Sequence, residues 1–184
     1  MLDLIEWSGV VCALIYIYLA TKARRLCFLF GLISSLLFVL ICGIEKLYFD
    51  TAINAYYVVM SVVGWYSWKS PEGESFEIRS LGKMKFYYLS VLSLILSFLL
   101  AFATEHLTDA SLPYVDSFTT VFAVLATWMM VERFIQNWIL WILADGVSVF
   151  LYIVKNHYPM AMLFAVYTVI AVLGYLNWKK LQAT

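Results

Sequence analysis

Charge is scarce in this chain of 184 residues: 13% are charged, while 64% are hydrophobic and 18% aromatic. A soluble domain needs roughly 25% charged residues to cover its surface, so the composition excludes a water-soluble monomer. Twelve Lys and Arg balance twelve Asp and Glu, and no basic cluster exists that could track a phosphate backbone, which excludes a nucleic-acid partner. Cysteine is sparse as well. Cys12, Cys27 and Cys42 are odd in number, sit in apolar runs and lack the close pairing of zinc or redox sites. They read as small apolar helix residues, and no metal or cofactor is expected. His106 and His157 have no partner at metal-site spacing either. HExxH, GxSxG and glycine-lysine phosphate-loop motifs are all missing, so neither an enzyme nor an ATP-binding chain is expected.

What the chain does have is long apolar runs. A hydrocarbon core about 30 Å thick needs roughly twenty helical residues per crossing. Runs of that kind lie near 5–21, 26–43, 51–68, 85–104, 116–131, 136–154 and 160–178. The three prolines, Pro71, Pro113 and Pro159, fall between or at the edges of these runs, where a missing backbone donor does least damage. No ten-residue alternating segments suggest a barrel. The expected fold is an all-α membrane protein with seven transmembrane helices. The acidic start, MLDLIEW, is followed by no small-residue cleavage site, so the first run is expected to remain as a span.

Basic residues predict the orientation. Lys22, Arg24, Arg25, Lys69, Arg79, Lys83, Lys85, Arg133, Lys179 and Lys180 fall on one side, and only Lys46 and Lys155 on the other. The positive-inside bias places the N-terminus outside and the C-terminus in the cytoplasm. Ser70 to Lys83 then forms a polar cytoplasmic linker.

The chain also repeats. A shift of 110 residues aligns 6–69 with 116–179 without a gap and makes eleven of 64 pairs identical. Seven identities fall in the fifteen positions that pair AYYVVMSVVGWYSWK with AVYTVIAVLGYLNWK. Spans one to three map onto five to seven, and an offset of four spans makes the repeats parallel. The expected organisation is a first three-helix repeat at 1–69, a linker at 70–84, a linker helix at 85–105 and a second repeat with a short tail at 116–184. Parallel repeats about an axis along the membrane normal are a transporter architecture, with substrate held near the midplane.

Polar groups at membrane depth are expensive and therefore informative. Helical spacing puts Asn137, Trp141, Asp145, Ser148 and Tyr152 on one stripe of the sixth span. Asp145, near mid-span, is either a structural hydrogen-bonding group or the counter-charge of a ligand. The third span carries Asn54, Tyr57, Ser61, Trp65 and Trp68, and the fifth Asp116, Thr119, Thr120 and Thr127. The two tryptophans also suit an interfacial belt, and the hydroxyls suit bonds to their own helices. If these faces converge, they offer aromatic plates, amide and hydroxyl groups, and one acid: an inventory that fits a cationic aromatic solute.

The strings IQNWILWILADGVSVFLY (135–152), VDSFTTVFAVLATWMM (115–130) and GWYSW (64–68) after LYFDTAIN (47–54) resemble the PnuC vitamin transporters over nearly the whole chain. That resemblance implies a three-plus-one-plus-three arrangement like that of SWEET transporters. It implies facilitated uptake of nicotinamide riboside across a bacterial inner membrane by alternating access, followed by phosphorylation in the cytosol. It carries over to Asn54, Asn137 and Trp141 as site positions, with Asp145 a departure from the Asn of other members. The expected substrate-binding set is Asn54, Tyr57, Ser61, Trp65, Thr120, Asn137, Trp141, Asp145, Ser148 and Tyr167. Thiamine, also cationic, is the alternative substrate, uncharged riboflavin fits less well, and a binding component of an ATP-driven uptake complex is the alternative class. Besides the small-molecule substrate, the expected partners are membrane lipid and further copies of the chain, with a trimer as the candidate assembly.

Overall fold

The computed structural model describes residues 2–69, 77–107 and 112–183, with the side chains of residues 2 and 3 excepted. Seven helices follow one another: α1 (Leu2–Thr21), α2 (Cys27–Ile44), α3 (Tyr48–Ser67), α4 (Lys83–Leu107), α5 (Pro113–Val131), α6 (Asn137–Val154) and α7 (Tyr158–Gln182). Pro113 and Pro159 each stand in the first turn of a helix, where the absent N–H would have had no intrahelical partner. Pro71, with Glu72 and Glu74, lies outside the described residues.

Six helices are long and apolar enough to cross a membrane, and α3 is the exception. Its 20 residues give it the length, since a rise of about 1.5 Å per residue makes roughly 30 Å. Asp50, Asn54, Ser61 and four tyrosines make it less apolar than its neighbours. Apolar side chains cover much of the molecule's outside. On α4, for example, Leu94, Ile95, Phe98 and Leu99 are each more than half exposed. Exposed apolar surface on this scale is unfavourable in water and at home among acyl chains.

The chain divides into two compact units, 1–77 and 78–184. In the first, α2 packs against α1 and α3. In the second, α5 packs against α4 and α6, and α6 against α7. The linker helix α4 therefore belongs with the second unit. Its inner face joins the core formed by Leu81, Phe122, Ala126, Met129, Leu140 and Ala144, against which Phe86 and Leu89 pack.

The repeat seen in the sequence is built into the backbone. Helix α6 begins and ends 110 residues after α2. The turns between helices contain four non-glycine residues with positive φ: Ala23 (52°), Lys46 (59°), Arg133 (64°) and Asn156 (58°). The first and third are 110 apart, as are the second and fourth. At each, two backbone bonds close the preceding helix: Ala23 N–H donates to Ala20 O and Arg24 N–H to Leu19 O, and the pattern recurs at Lys46/Leu47, Arg133/Phe134 and Asn156/His157. This left-handed cap satisfies helix-end carbonyls that lipid could not hydrate.

Close helix contacts repeat too. Gly64 of α3 lies against the Phe28 ring of α2, where a Cβ would overlap the ring. Phe28 then meets Trp68 edge-on, with ring centroids 4.8 Å apart. In the second unit a Cβ on Gly174 would come within 2.7 Å of the Trp138 ring, and Trp138 meets Trp178 edge-on at 5.6 Å. Both glycines are needed because a ring, rather than a flexible tip, occupies the space.

The linker is not uniformly loose. Arg79 exchanges backbone bonds with the α5–α6 turn, donating to Arg133 O (2.9 Å) and accepting from Ile135 N–H (3.0 Å). The Gln136 side chain accepts from Leu81 N–H (3.1 Å) and donates to Leu81 O (2.9 Å) and to Ser80 Oγ (3.1 Å). Gln182 Nε2 donates to Ile78 O at 3.2 Å. Residues 78–81 thus form a strap across the ends of α5, α6 and α7.

Candidate functional site

Helix α6 carries the polar stripe. Asn137 is 0% exposed, Asp145 6% and Ser148 5%, while Trp141 and Tyr152 are half-buried. The stripe faces inward because Ile139, Leu143, Phe150 and Ile153 hold the outward positions. Ser148 Oγ satisfies itself on Ala144 O at 2.9 Å. Asn137 Nδ2 donates to Phe134 O at 2.7 Å, which leaves Oδ1 buried with no partner among the described residues. An unsatisfied buried acceptor costs about 1–3 kcal/mol, so this oxygen stands out as an open hydrogen-bonding group.

Asp145 is the second group left open. Among the described residues its carboxylate has no hydrogen bond and no ion pair, although Lys155, just past the end of the helix, finds Asp116 at 3.6 Å. An aromatic chain starts beside Asp145 and runs along α7 to the next turns of α6. Tyr167 of α7 lies within its electrostatic reach and meets Phe164 edge-on at 6.0 Å. Phe164 stacks on Tyr152 at 5.3 Å with an interplanar angle of 12°. The seam between α6 and α7 therefore combines one buried acid with an aromatic wall, an arrangement that attracts a delocalised cation. Stripe spacing separates Asn137 from Asp145 by eight residues, about 12 Å along the helix.

The remaining second-unit candidates divide. Trp141 packs its ring against the α4–α5–α6 core, and Thr120 is half-buried on α5. Thr119 and Thr127 donate to carbonyls of their own helix, Thr119 to Asp116 O at 3.0 Å and Thr127 to Ala123 O at 2.8 Å.

In the first unit Ser61 is buried beside Gly31 and Tyr16. Tyr57 lies within electrostatic reach of Tyr16 and leans against Tyr56 at 5.7 Å. Asn54, nearer the start of α3, donates to Asp50 O at 2.8 Å. Trp65 is engaged differently. Arg25 stacks its guanidinium 4.0 Å from the ring centroid and donates from Nε to Trp65 O at 2.6 Å. Trp68 is buried against Phe28. Sequence reasoning overlooked Arg25, Gln136 and Phe164. The first two sit in turns, and Phe164 carries no polar atom to mark it.

A bundle of apolar helices with an inward acid and aromatic wall defines a membrane carrier of small molecules. The chain belongs to the nicotinamide mononucleotide transporter family, whose sequence profile matches residues 3–180; it is a multi-pass membrane transporter. The nicotinamide riboside transporter PnuC of Escherichia coli is 24% identical over 96% of this chain and 85% of its own length. The protein of that name from Neisseria mucosa is 26% identical over 95% of this chain and 70% of its own. A crystal structure of the vitamin B3 transporter PnuC superposes with a TM-score of 0.77 at 25% identity, covering 98% of this chain and 83% of that one.

Proposed function

We propose that this chain carries nicotinamide riboside down its gradient across a bacterial inner membrane, with the N-terminus outside, and that the cytosol traps the product by phosphorylation. The relatives named above support the substrate. The observation that carries the reading is Asp145: a carboxylate 6% exposed, within a helix of membrane length, with no cationic partner among the described residues. A buried acid left alone is costly, and a pyridinium ring supplies the missing charge. Tyr167, Phe164 and Tyr152 offer faces for that ring. Asn137 Oδ1 offers an acceptor for a hydroxyl, with Ser148, Thr120 and Trp141 completing the second unit's contribution.

The test compares nicotinamide riboside with its reduced, uncharged form, which has nearly the same shape. Tryptophan quenching with purified protein should show preference for the oxidised cation. Asp145→Asn should weaken cation binding about 30-fold, equivalent to about 2 kcal/mol for a lost buried charge pair, and leave the neutral form nearly unaffected. Equal weakening of both forms would remove charge pairing from the account. Uptake into liposomes without ATP should proceed with this chain alone. A requirement for an ATP-hydrolysing partner would instead make it a binding component. Tighter binding of thiamine or riboflavin would reassign the substrate.

A further inference from the structure

The first unit carries a second feature, apart from the α6–α7 seam. Along the seam of α2 and α3 runs a recess lined by Phe28, Leu29, Leu32, Val62, Trp65 and Tyr66, with Ser61 at its floor. Leu29, Val62 and Tyr66 are exposed, so the recess opens outward to whatever surrounds the helices. Arg25 precedes Leu29 by four residues and Lys69 follows Trp65 by four, which places both cations one turn beyond the recess at the same end of the seam. Arg25 is fixed there by its Nε bond to Trp65 O and its stacking on the Trp65 ring. Its two terminal nitrogens have no hydrogen bond among the described residues. Lys22 and Arg24 add two exposed cations. Among the described residues none of these four cations makes an ion pair with an acid.

We propose that this seam is a binding site for an anionic phospholipid, with one acyl chain in the recess and the phosphate on the Arg25 fork beside Lys69. The geometry matches the ligand in two ways. A planar guanidinium with free terminal N–H groups suits a phosphate, and an apolar slot one helical turn away suits the chain attached to it. Lys22, Arg24, Arg25 and Lys69 together favour a headgroup of net negative charge over a zwitterionic one. The second unit acts as an internal contrast. At the position equivalent to Arg25 it has Ile135, buried at 6% exposure, so the corresponding seam lacks the fork.

The site can be read through Trp65 itself. Full-length protein in lipid nanodiscs is titrated with phosphatidylglycerol or phosphatidylcholine brominated on the acyl chains, and the Trp65 signal is taken as the difference between wild type and Trp65→Phe. Brominated phosphatidylglycerol should quench that signal at a mole fraction about fivefold lower than brominated phosphatidylcholine. Arg25→Gln should abolish the difference. Lys69→Gln, which leaves the Arg25–Trp65 contact intact and so guards against misfolding, should reduce it by about half. Equal quenching by both lipids would make the seam ordinary lipid-facing surface and overturn the proposal. So would displacement of the lipid by millimolar inorganic phosphate, the mark of a bare anion site. Absence of quenching by either lipid would show the recess closed to acyl chains and would overturn it as well.

Discussion

The two units share a backbone and differ in chemistry. Phe28, Gly64 and Trp68 in the first occupy the places of Trp138, Gly174 and Trp178 in the second, and both sets lock an edge-on ring pair over a glycine. Where chemistry is concerned the correspondence ends. Ser35, buried at 7% exposure, stands where the second unit has Asp145 at 6%. Gly31 stands where it has Trp141, and Cys27 where it has Asn137. Glu6 and Glu45 stand where it pairs Asp116 with Lys155. Leu26, 49% exposed, stands where Gln136 holds the strap. Helix packing depends on small and ring-shaped side chains at a few contact points, so these are kept in both units. The buried acid, by contrast, appears in the second unit alone among the described residues.

Substitutions that impose one unit's residue on the other, or break what they share, sharpen this contrast. The largest effect is expected where the units agree. Gly64→Val and Gly174→Val should each destabilise the protein by about 3 kcal/mol, because a rigid ring blocks the added carbons. Thermal unfolding in detergent should show similar losses for both, and a loss in one alone would mean that the two junctions do not bear equal load. Next comes Asp145→Ser, which gives the second unit the first unit's residue. It should lower affinity for the riboside cation by about 2 kcal/mol while the unfolding midpoint holds or rises, since an unpaired buried charge is removed. Calorimetric binding beside a thermal scan separates the two effects.

Gln136→Leu, again a transfer from the first unit, removes three hydrogen bonds to residues 80 and 81 and should cost about 1–2 kcal/mol. Hydrogen exchange of the Leu81 amide should rise sharply, and unchanged protection would show the strap held by its backbone bridge alone. The smallest effect is expected for Lys155→Glu, which recreates the paired acids of the first unit. Exposed ion pairs contribute less than about 1 kcal/mol, so the midpoint should fall slightly, and less in high salt.

Much of the molecule was legible in the sequence because lipid leaves few choices. Apolar runs of helical length had to become helices, and the interruptions had to become turns. The 110-residue shift was visible because Gly64, Trp68 and Lys69 recur as Gly174, Trp178 and Lys179. The inward face of α6 was visible because Asn137, Asp145 and Ser148 share a helical stripe. Helix α3 was harder: its apolar run was read as a span, but its polar load sets it below the other six. The strap was hidden because Gln136 reaches residues 80 and 81 across more than fifty positions, and no local periodicity encodes such a contact. The engagement of Trp65 by Arg25 was hidden for the same reason. A tryptophan near a span end looks the same whether it belongs to an interfacial belt, a binding site or a cation.

By itself, the order of residues determined the lipid environment, the helices, their repeat and the acid placed within one of them, because each follows from hydropathy and from the 3.6-residue turn. Only the tertiary structure decided which groups are satisfied. It left Asn137 Oδ1 and Asp145 open, gave Trp65 to Arg25 and set Phe164 between Tyr152 and Tyr167. Partners for buried polar atoms come from neighbouring helices, whose rotation about their own axes is settled by packing at points such as Gly64 and Gly174.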